Sequence, residues 1–435
     1  MVSMTPGTIV TVALVERHYG SGTGECAATA TSVPQAIELP RRPTYILEHV
    51  TNATHLLEAT SHLQTPFALI DSEAMWRNAQ DLVRRANGVP IRVATKSIRV
   101  LSIIKTVLTL DGFQGAMSYS LAEANWLVDN GVDDVLVAYP SVDAEAYREL
   151  FKDEKRLNSI TVMVDSIEAL EVIDSLCGSG HAPIRVCIDV DSSFKVGPAH
   201  LGVRRSPIHS PRQAKNLAAA IAERPGFKLV GLMFYDAQIA GVPDTSPAVR
   251  VMKNRSSAEL MRRRRRVIRA VSQHADLTLI NGGGTGSLET TGKDKNLTEL
   301  AAGSGLFTPT LFDEYDAFEP NPSSFFALSV VRKPAPNIVT CFAGGYIASG
   351  PAGQNRVPTP VWPEGLEYLG TEGAGEVQSP LKGKAAESLA IGDRVLFRHA
   401  KAGEMCERFN QVALVSPEGS VTIVPTYRGE GKNFG

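Results

Sequence analysis

The sequence predicts an α/β protein: a (β/α)8 barrel followed by a mostly β domain. Three observations predict it. Eight short apolar runs alternate with amphipathic segments between residues 66 and 280. The runs are near-continuously hydrophobic, as parallel strands covered on both faces must be. After about residue 305 this pattern gives way to Pro, Gly and short β-rich runs. With 435 residues, 43% of them hydrophobic and 21% charged, the chain is long enough for both parts.

Residues 1–33 are rich in Gly, Thr, Ser and Ala and read as a flexible N-terminal extension. Its apolar stretch 8–15 has no basic region before it, and Glu16, Arg17 and His18 follow directly, which speaks against an export signal. Residues 34–64 are expected to pack with the β domain. Residues 65–304 form the expected barrel. Its strands are read at 67–71, 91–95, 113–118, 134–139, 160–164, 184–190, 229–234 and 277–280. Helices are read at 73–86, 121–130, 166–176, 211–222 and 256–274. An open, doubly wound sheet fits the same alternation. The count of eight, and a lysine at a strand's C-terminal end, favour the barrel. Residues 305–435 form the β domain, with strands expected at 325–331, 338–342, 375–378, 393–397, 411–415 and 421–424.

A net charge of −2 gives no general attraction to nucleic acid or to an anionic membrane. No apolar run approaches the roughly 20 residues that cross a bilayer. The five cysteines (Cys26, Cys177, Cys187, Cys341, Cys406) are sparse and lack CxxC spacing, which favours a reducing cytoplasm over a disulfide framework. Five successive arginines at 262–266 wrap all around a helix and read as its solvated outer face rather than as a nucleic-acid patch.

Two segments carry the chemistry. Ile91-Arg-Val-Ala-Thr-Lys-Ser97 delivers Lys96 at the end of a strand, where barrel enzymes gather their catalytic groups. Such a lysine, partly desolvated and near cations such as Arg92, becomes nucleophilic and forms an imine with an aldehyde. Leu277-Thr-Leu-Ile-Asn-Gly-Gly-Gly-Thr-Gly-Ser287 breaks from a strand into glycines and hydroxyls. It follows what reads as the last barrel strand, a usual phosphate position in this fold. It is neither a Walker loop nor a GxGxxG dinucleotide site. An aldehyde and a phosphate on one molecule describe pyridoxal 5'-phosphate (PLP).

At these residues the chain resembles the fold-type III PLP enzymes, the alanine racemase-like superfamily, and within it the D-threonine aldolase and D-serine dehydratase-like branch. The resemblance runs from about Thr65 to Pro425. Its carriers are Thr65-Pro-Phe-Ala-Leu-Ile-Asp71, Arg92-Val-Ala-Thr-Lys96, Leu232-Met-Phe-Tyr235, Gly282-Gly-Gly-Thr-Gly-Ser287, Ala301-Ala-Gly-Ser-Gly305 and Arg398-His-Ala-Lys-Ala-Gly-Glu404. It implies that Lys96 holds PLP as an imine and that Gly283, Gly284, Thr285, Gly286 and Ser287 hold its phosphate. It also implies that Tyr235 and Gln238 line the cofactor pocket. An arginine should meet the ring nitrogen; Lys195 and Arg204 are the candidates, and Arg204 is favoured because a guanidinium stays charged.

In the aldolase and dehydratase relatives a C-terminal-domain His, and an Asp or Cys two residues later, bind a divalent metal. Here His399 is followed by Lys401, which is no ligand while protonated, and His399 with Cys406 makes a thin site. The expectation is that the Lys401 ammonium replaces the metal's charge, oriented by Glu404 or Glu407, with His399 as the base on the substrate hydroxyl. The resemblance thus implies a PLP-dependent lyase acting on a small D-3-hydroxy amino acid, working as a cytoplasmic head-to-tail homodimer. A racemase is the alternative, with Tyr346, Tyr368 or Tyr427 as a second base. A PLP-binding protein without turnover and a decarboxylase are further options, against which the β domain and the lack of a cysteine-containing substrate loop count.

Overall fold

The computed structural model describes residues 53–435. The expected extension 1–33, Cys26 and most of the segment 34–64 lie outside the described residues.

Eight parallel strands close into a barrel, which excludes the open sheet. In order they are Ile91–Ala94, Phe113–Ser118, Val135–Val137, Ile160–Val164, Ile184–Asp189, Phe227–Phe234, Leu279–Gly282 and Glu299–Ala302. Helices fill the connections, and several carry side-chain caps. Asp71 caps Ser72–Arg85, Ser120 caps Leu121–Asp129, and a Ser210/Gln213 capping box opens Pro211–Ala222.

The strand set differs from the expectation at both ends. Phe67–Asp71, read as opening the barrel, pairs antiparallel with Ser324–Ala335 and parallel with Gln411–Val415 in the other sheet. A five-residue apolar run reports that both faces are covered, not which sheet covers them. The eighth barrel strand is instead Glu299–Ala302, which begins with a carboxylate and so carries no apolar signature. The glycine loop after Leu279–Gly282 therefore follows the seventh strand, not the last.

Burial of Glu299 is tolerated because Arg92, on the first barrel strand, meets it. Arg92 Nε lies 2.6 Å and Nη2 2.7 Å from the two carboxylate oxygens, and Nη2 also lies 2.9 Å from Asp134 Oδ2. Asn281 adds a bond of 2.8 Å to Glu299 Oε1. Burial works against the guanidinium's charge, but Glu299 and Asp134 outweigh it and hold Arg92 more firmly protonated than free arginine. Space is left by Gly115 (φ +64°), where a Cβ would lie 2.4 Å from Arg92 Nη1. The remaining interior is apolar: Leu136, Met163, Cys187, Met233 and Leu279, with Met117 against them.

The β domain is a nine-stranded sheet. Its centre is Ser324–Ala335, flanked by Ile338–Phe342, Arg394–Arg398 and Phe67–Asp71. The strand expected at 375–378 forms instead as Gln378–Lys382. Leu56, on the short helix Ala53–Ala59, packs into the cluster of Phe67, Leu69, Phe325, Leu396 and Ala413.

The arginine run is not wholly solvated. Arg263 is buried, paired with Glu259 and donating to the carbonyls of Asp191 and Ser193, and Arg264 is buried against Asp294. Only Arg262, Arg265 and Arg266 face water, as a helix of 3.6 residues per turn requires of five consecutive positions. Among the described residues no helix is long and apolar enough to cross a membrane.

The buried pair yields a stability prediction. Replacing Arg92 by Ala strands Glu299 and lowers the unfolding free energy by about 3–5 kcal/mol in urea titrations, whereas the double change Arg92→Met with Glu299→Leu restores most of it.

Candidate active site

A cavity of about 570 Å3 opens at the C-terminal ends of the barrel strands. Side chains two apart on a strand point the same way, so Ala94 and Lys96, Met233 and Tyr235, Asn281 and Gly283, and Ala301 and Gly303 all line it. Loops of the β domain close the opposite wall with Ser349, Asn355, Arg356, Lys401 and Glu404.

Lys96 sits in the 3-10 turn Thr95–Ser97 that ends the first barrel strand. Thr95 Oγ1 donates to Met117 O at 3.0 Å and pins the turn to the next strand. Lys96 Nζ donates to Tyr139 Oη at 2.8 Å. Burial pushes the Tyr139 phenol up, but the charges of Lys96 and Arg205 win and bring it below the usual tyrosine value. Arg92 does not line the cavity: it is paired with Glu299 and Asp134 inside the barrel, and the cations that line the cavity with Lys96 are Arg99, Arg205, Arg356 and Lys401.

The glycine loop divides in two. Gly283, Gly284 and Thr285 line the cavity; Gly286 and Ser287 lie behind it. Ser287 Oγ accepts from Gly284 N at 3.1 Å and donates to buried Asp236 at 3.1 Å, so it braces the loop. A Cβ at Gly286 would lie 2.4 Å from Ala240 O and from the Tyr315 ring. A second turn, after the eighth strand, meets the first: Ser304 Oγ and Gly305 N both donate to Thr285 Oγ1 at 3.1 Å. A Cβ at Gly303 would lie 2.4 Å from Ala94 O.

Tyr235 lines the cavity, as expected. Gln238 does not; it is buried, donating to Ser192 O at 2.8 Å and Ser256 Oγ at 2.7 Å. Arg204 is exposed, and Lys195 pairs with Asp191 at 3.3 Å. The guanidinium that enters is Arg205, whose Cζ lies 6.0 and 5.9 Å from the Tyr139 and Tyr235 ring centroids. Asp189 also lines the cavity, and burial, with Asp165 nearby and against the pull of Arg205, pushes its carboxyl up to about 7.

His399 lies outside this cavity, in an adjoining one of about 360 Å3 that shares Arg99, Ser349, Lys401 and Glu404 with it. Burial and the neighbouring Arg398 push its imidazole down to about 3, so it is neutral. Lys401 lines both cavities, donates to Ser349 Oγ at 2.6 Å and lies 3.9 Å from Glu404. Burial, aided by Arg356 and Lys96 and opposed by Glu404, lowers the pKa of its ammonium. Glu407 pairs with Arg99 instead, so Glu404 is the carboxylate beside Lys401.

Tyr139, Arg205, Ser304 and Arg356 were not singled out from sequence. Tyr139 and Ser304 were legible in principle, standing at or just after strand ends. Arg356 emerges from a Gly- and Pro-rich loop with no local signal.

The residues fit PLP. Lys96 lines one cavity with two hydroxyl-bearing turns, Gly283–Thr285 and Gly303–Ser304, whose glycines leave backbone N–H groups open to a phosphate. Among the described residues no three or more His, Cys, Asp or Glu side chains are grouped to hold a metal ion, and Lys401, not an Asp or Cys, stands two residues after His399. Cys406 is buried and lines neither cavity. Of the tyrosines proposed as a racemase base, Tyr346 lines the smaller cavity, and none lines the main cavity of its own chain.

Comparison with known proteins agrees with this geometry. The chain is 27% identical over 291 residues to D-threonine aldolase of an Arthrobacter species, covering 65% of this chain and 72% of that one. The crystal structure of D-threonine aldolase from Filomicrobium marinum superposes with a TM-score of 0.71 at 21% identity, covering 84% of this chain and 95% of that one. D-threo-3-hydroxyaspartate dehydratase from a Delftia species gives a TM-score of 0.65 at 18% identity, covering 84% and 97%. The family model described as alanine racemase, N-terminal domain, matches residues 70–309, over half of the chain, and the protein belongs to that family.

Proposed function

We propose that this chain is a PLP-dependent lyase acting on a small D-configured 3-hydroxy amino acid, cleaving it in the manner of a D-threonine aldolase. The observation that carries this reading is that Lys96 of the barrel and Lys401 of the β domain line one cavity, near enough for the charge of Lys96 to act on Lys401. The two D-threonine aldolases and the D-threo-3-hydroxyaspartate dehydratase act on D-hydroxy amino acids by name, which supports the same class. The accompanying reading is a cytoplasmic homodimer, the arrangement that the resemblance implies.

PLP, when bound, supplies an aldehyde for the substrate amine and a ring that draws negative charge from the substrate's α-carbon. Lys96 would hold it, with the phosphate at Gly283, Gly284, Thr285 and Ser304 and the ring between Tyr139, Arg205 and Tyr235. Tyr139 accepts a hydrogen bond from Lys96 and so fixes where that amine exchanges its proton. Arg205 keeps positive charge beside the ring.

The β-oxygen of the substrate falls to Lys401. As an ammonium it stabilises charge developing on that oxygen; with its pKa lowered it also has a neutral form that takes the hydroxyl proton. Ser349 and Glu404 hold it in place. The base role expected of His399 moves to Lys401, because His399 is weakly basic and sits in the adjoining cavity.

Incubating D- and L-3-hydroxy amino acids in deuterated water should give glycine and an aldehyde from the D series alone. Recovery of both enantiomers carrying α-deuterium would instead establish a racemase. Lys401→Met is expected to lower kcat by about 100-fold with KM nearly unchanged, as loss of one charge-stabilising donor does. Dialysis against a chelator should leave wild-type turnover intact; activity that disappears and returns with a divalent ion would overturn the assignment of Lys401.

A further inference from the structure

The turn that presents Lys96 is gripped from behind by residues remote in sequence, all of which converge on Arg99. Arg99 has φ +54°, a left-handed conformation uncommon for a residue with a side chain. Its Nε donates to the Lys96 carbonyl at 3.1 Å. Its guanidinium pairs with Glu407 of the β domain and stacks over the Tyr119 ring at 4.9 Å. Its own carbonyl accepts from Tyr427 N at 2.8 Å.

Tyr427 belongs to the C-terminal segment and does not line the cavity. It is buried, with its ring held edge-on by Trp126 at 5.0 Å and Phe434 at 5.7 Å. Its hydroxyl donates to Glu123 Oε1 at 2.9 Å, and Tyr119 N donates to Glu123 Oε2 at 2.7 Å. Glu123 is a fully buried carboxyl that the proposed reaction does not use.

We infer that Arg99, Glu123 and Tyr427 form a latch that sets the position of Lys96, making the C-terminal segment a positioning element of the active site. This rests on Lys96 being the cofactor lysine. If the latch opens, Arg99 keeps its bonds to Thr95 O, Lys96 O and Glu407 but loses the tie from Tyr427 to its carbonyl, and the turn that carries Lys96 loosens. The groups facing Glu123 are Thr95, Tyr119, Arg99 and Tyr427, with Glu407 beyond Arg99. Burial pushes the Glu123 carboxyl up to about 7 against the nearby Thr95 hydroxyl, the bonds from Tyr119 and Tyr427 and the charge of Arg99. Its ionised form, which attracts Arg99 and accepts from Tyr427, therefore dominates on the alkaline side of neutrality, and protonation weakens the latch.

The test follows the visible absorbance of the lysine-linked cofactor, and kcat, across the neutral pH range in the holoenzyme. Wild type should show a transition near neutrality in both. Glu123→Gln mimics the protonated acid, so it should lose that transition and lower kcat by about tenfold, with its thermal melt within a few degrees of wild type. Tyr427→Phe removes one bond that favours the carboxylate, so it should move the transition to higher pH; it decides alone should Glu123→Gln fail to fold. Wild-type absorbance, midpoint and kcat in Tyr427→Phe would overturn the latch. Retention of the visible band by Lys96→Ala would overturn the assignment of Lys96 itself.

Discussion

The barrel closes on a buried charge. Between its eighth and first strands the register is Leu300 to Ile91, Ala301 to Arg92 and Ala302 to Val93, and the guanidinium of Arg92 crosses that seam to Glu299. Such a pair need not stabilise more than two apolar side chains of the same volume. What it supplies is register: a slip of one residue turns Arg92 or Glu299 out of the interior and leaves the other unpaired. Register in turn decides the site, because it puts the strand ending in Lys96 beside the strand ending in Gly303 and Ser304. The loop Gly283–Thr285 then meets Ser304 from the other side. Amine and cradle converge because the seam permits one alignment.

The second constraint is steric and joins the two halves of the molecule. A Cβ at Gly403 would lie 2.0 Å from the Lys96 carbonyl oxygen, so the β-domain loop lies directly on the turn that carries the reactive lysine. Two residues earlier in that loop stands Lys401. The same contact thus fixes the distance between the amine that addresses the cofactor and the cation that addresses the substrate. On the proposed reading barrel and β domain divide the labour: the strand ends would hold the cofactor, and the loops around Ser349, Arg356 and Lys401 would hold what reacts with it.

Much of this was legible in the sequence, and the failures have physical causes. Buried parallel strands must be apolar throughout, so the runs at 113–118, 160–164 and 184–190 marked real strands. The signal fails where burial is achieved by pairing charges, which is why Glu299–Ala302 went unread and 67–71 took its place in the count. Arg263 and Arg264 were hidden by the same cause: an arginine in a row of five shows nothing of the carbonyls or the carboxylate that draw it inward. Lys96 and the glycine loop were found because their chemistry is concentrated in a few contiguous residues. Arg205 was missed by one position, because the choice between two adjacent arginines is made by the twist of a loop and not by composition. Tyr139 was placed on its strand, but its partnership with Lys96 depends on two neighbouring strand ends that only closure of the barrel brings together.

On the proposed reading, the exchange of a metal ligand for Lys401 is more than the loss of a binding site. A divalent ion polarises a hydroxyl strongly but leaves the proton to another group. An ammonium carries half that charge, and in water it would be a poor substitute. Within a cavity walled by protein each charge acts through a lower effective dielectric, so one ammonium at bonding distance suffices to stabilise an alkoxide in formation. Cations nearby have the opposite effect on its own proton: Arg356 and Lys96 make the ammonium more acidic, while Glu404 restrains the shift. On the proposed reading the ammonium steadies negative charge on the substrate oxygen, and the lowering of its pKa favours the release of its own proton. His399, buried beside Arg398 with its pKa lowered, lines the adjoining cavity, which is why the proposed reading gives the substrate oxygen to Lys401.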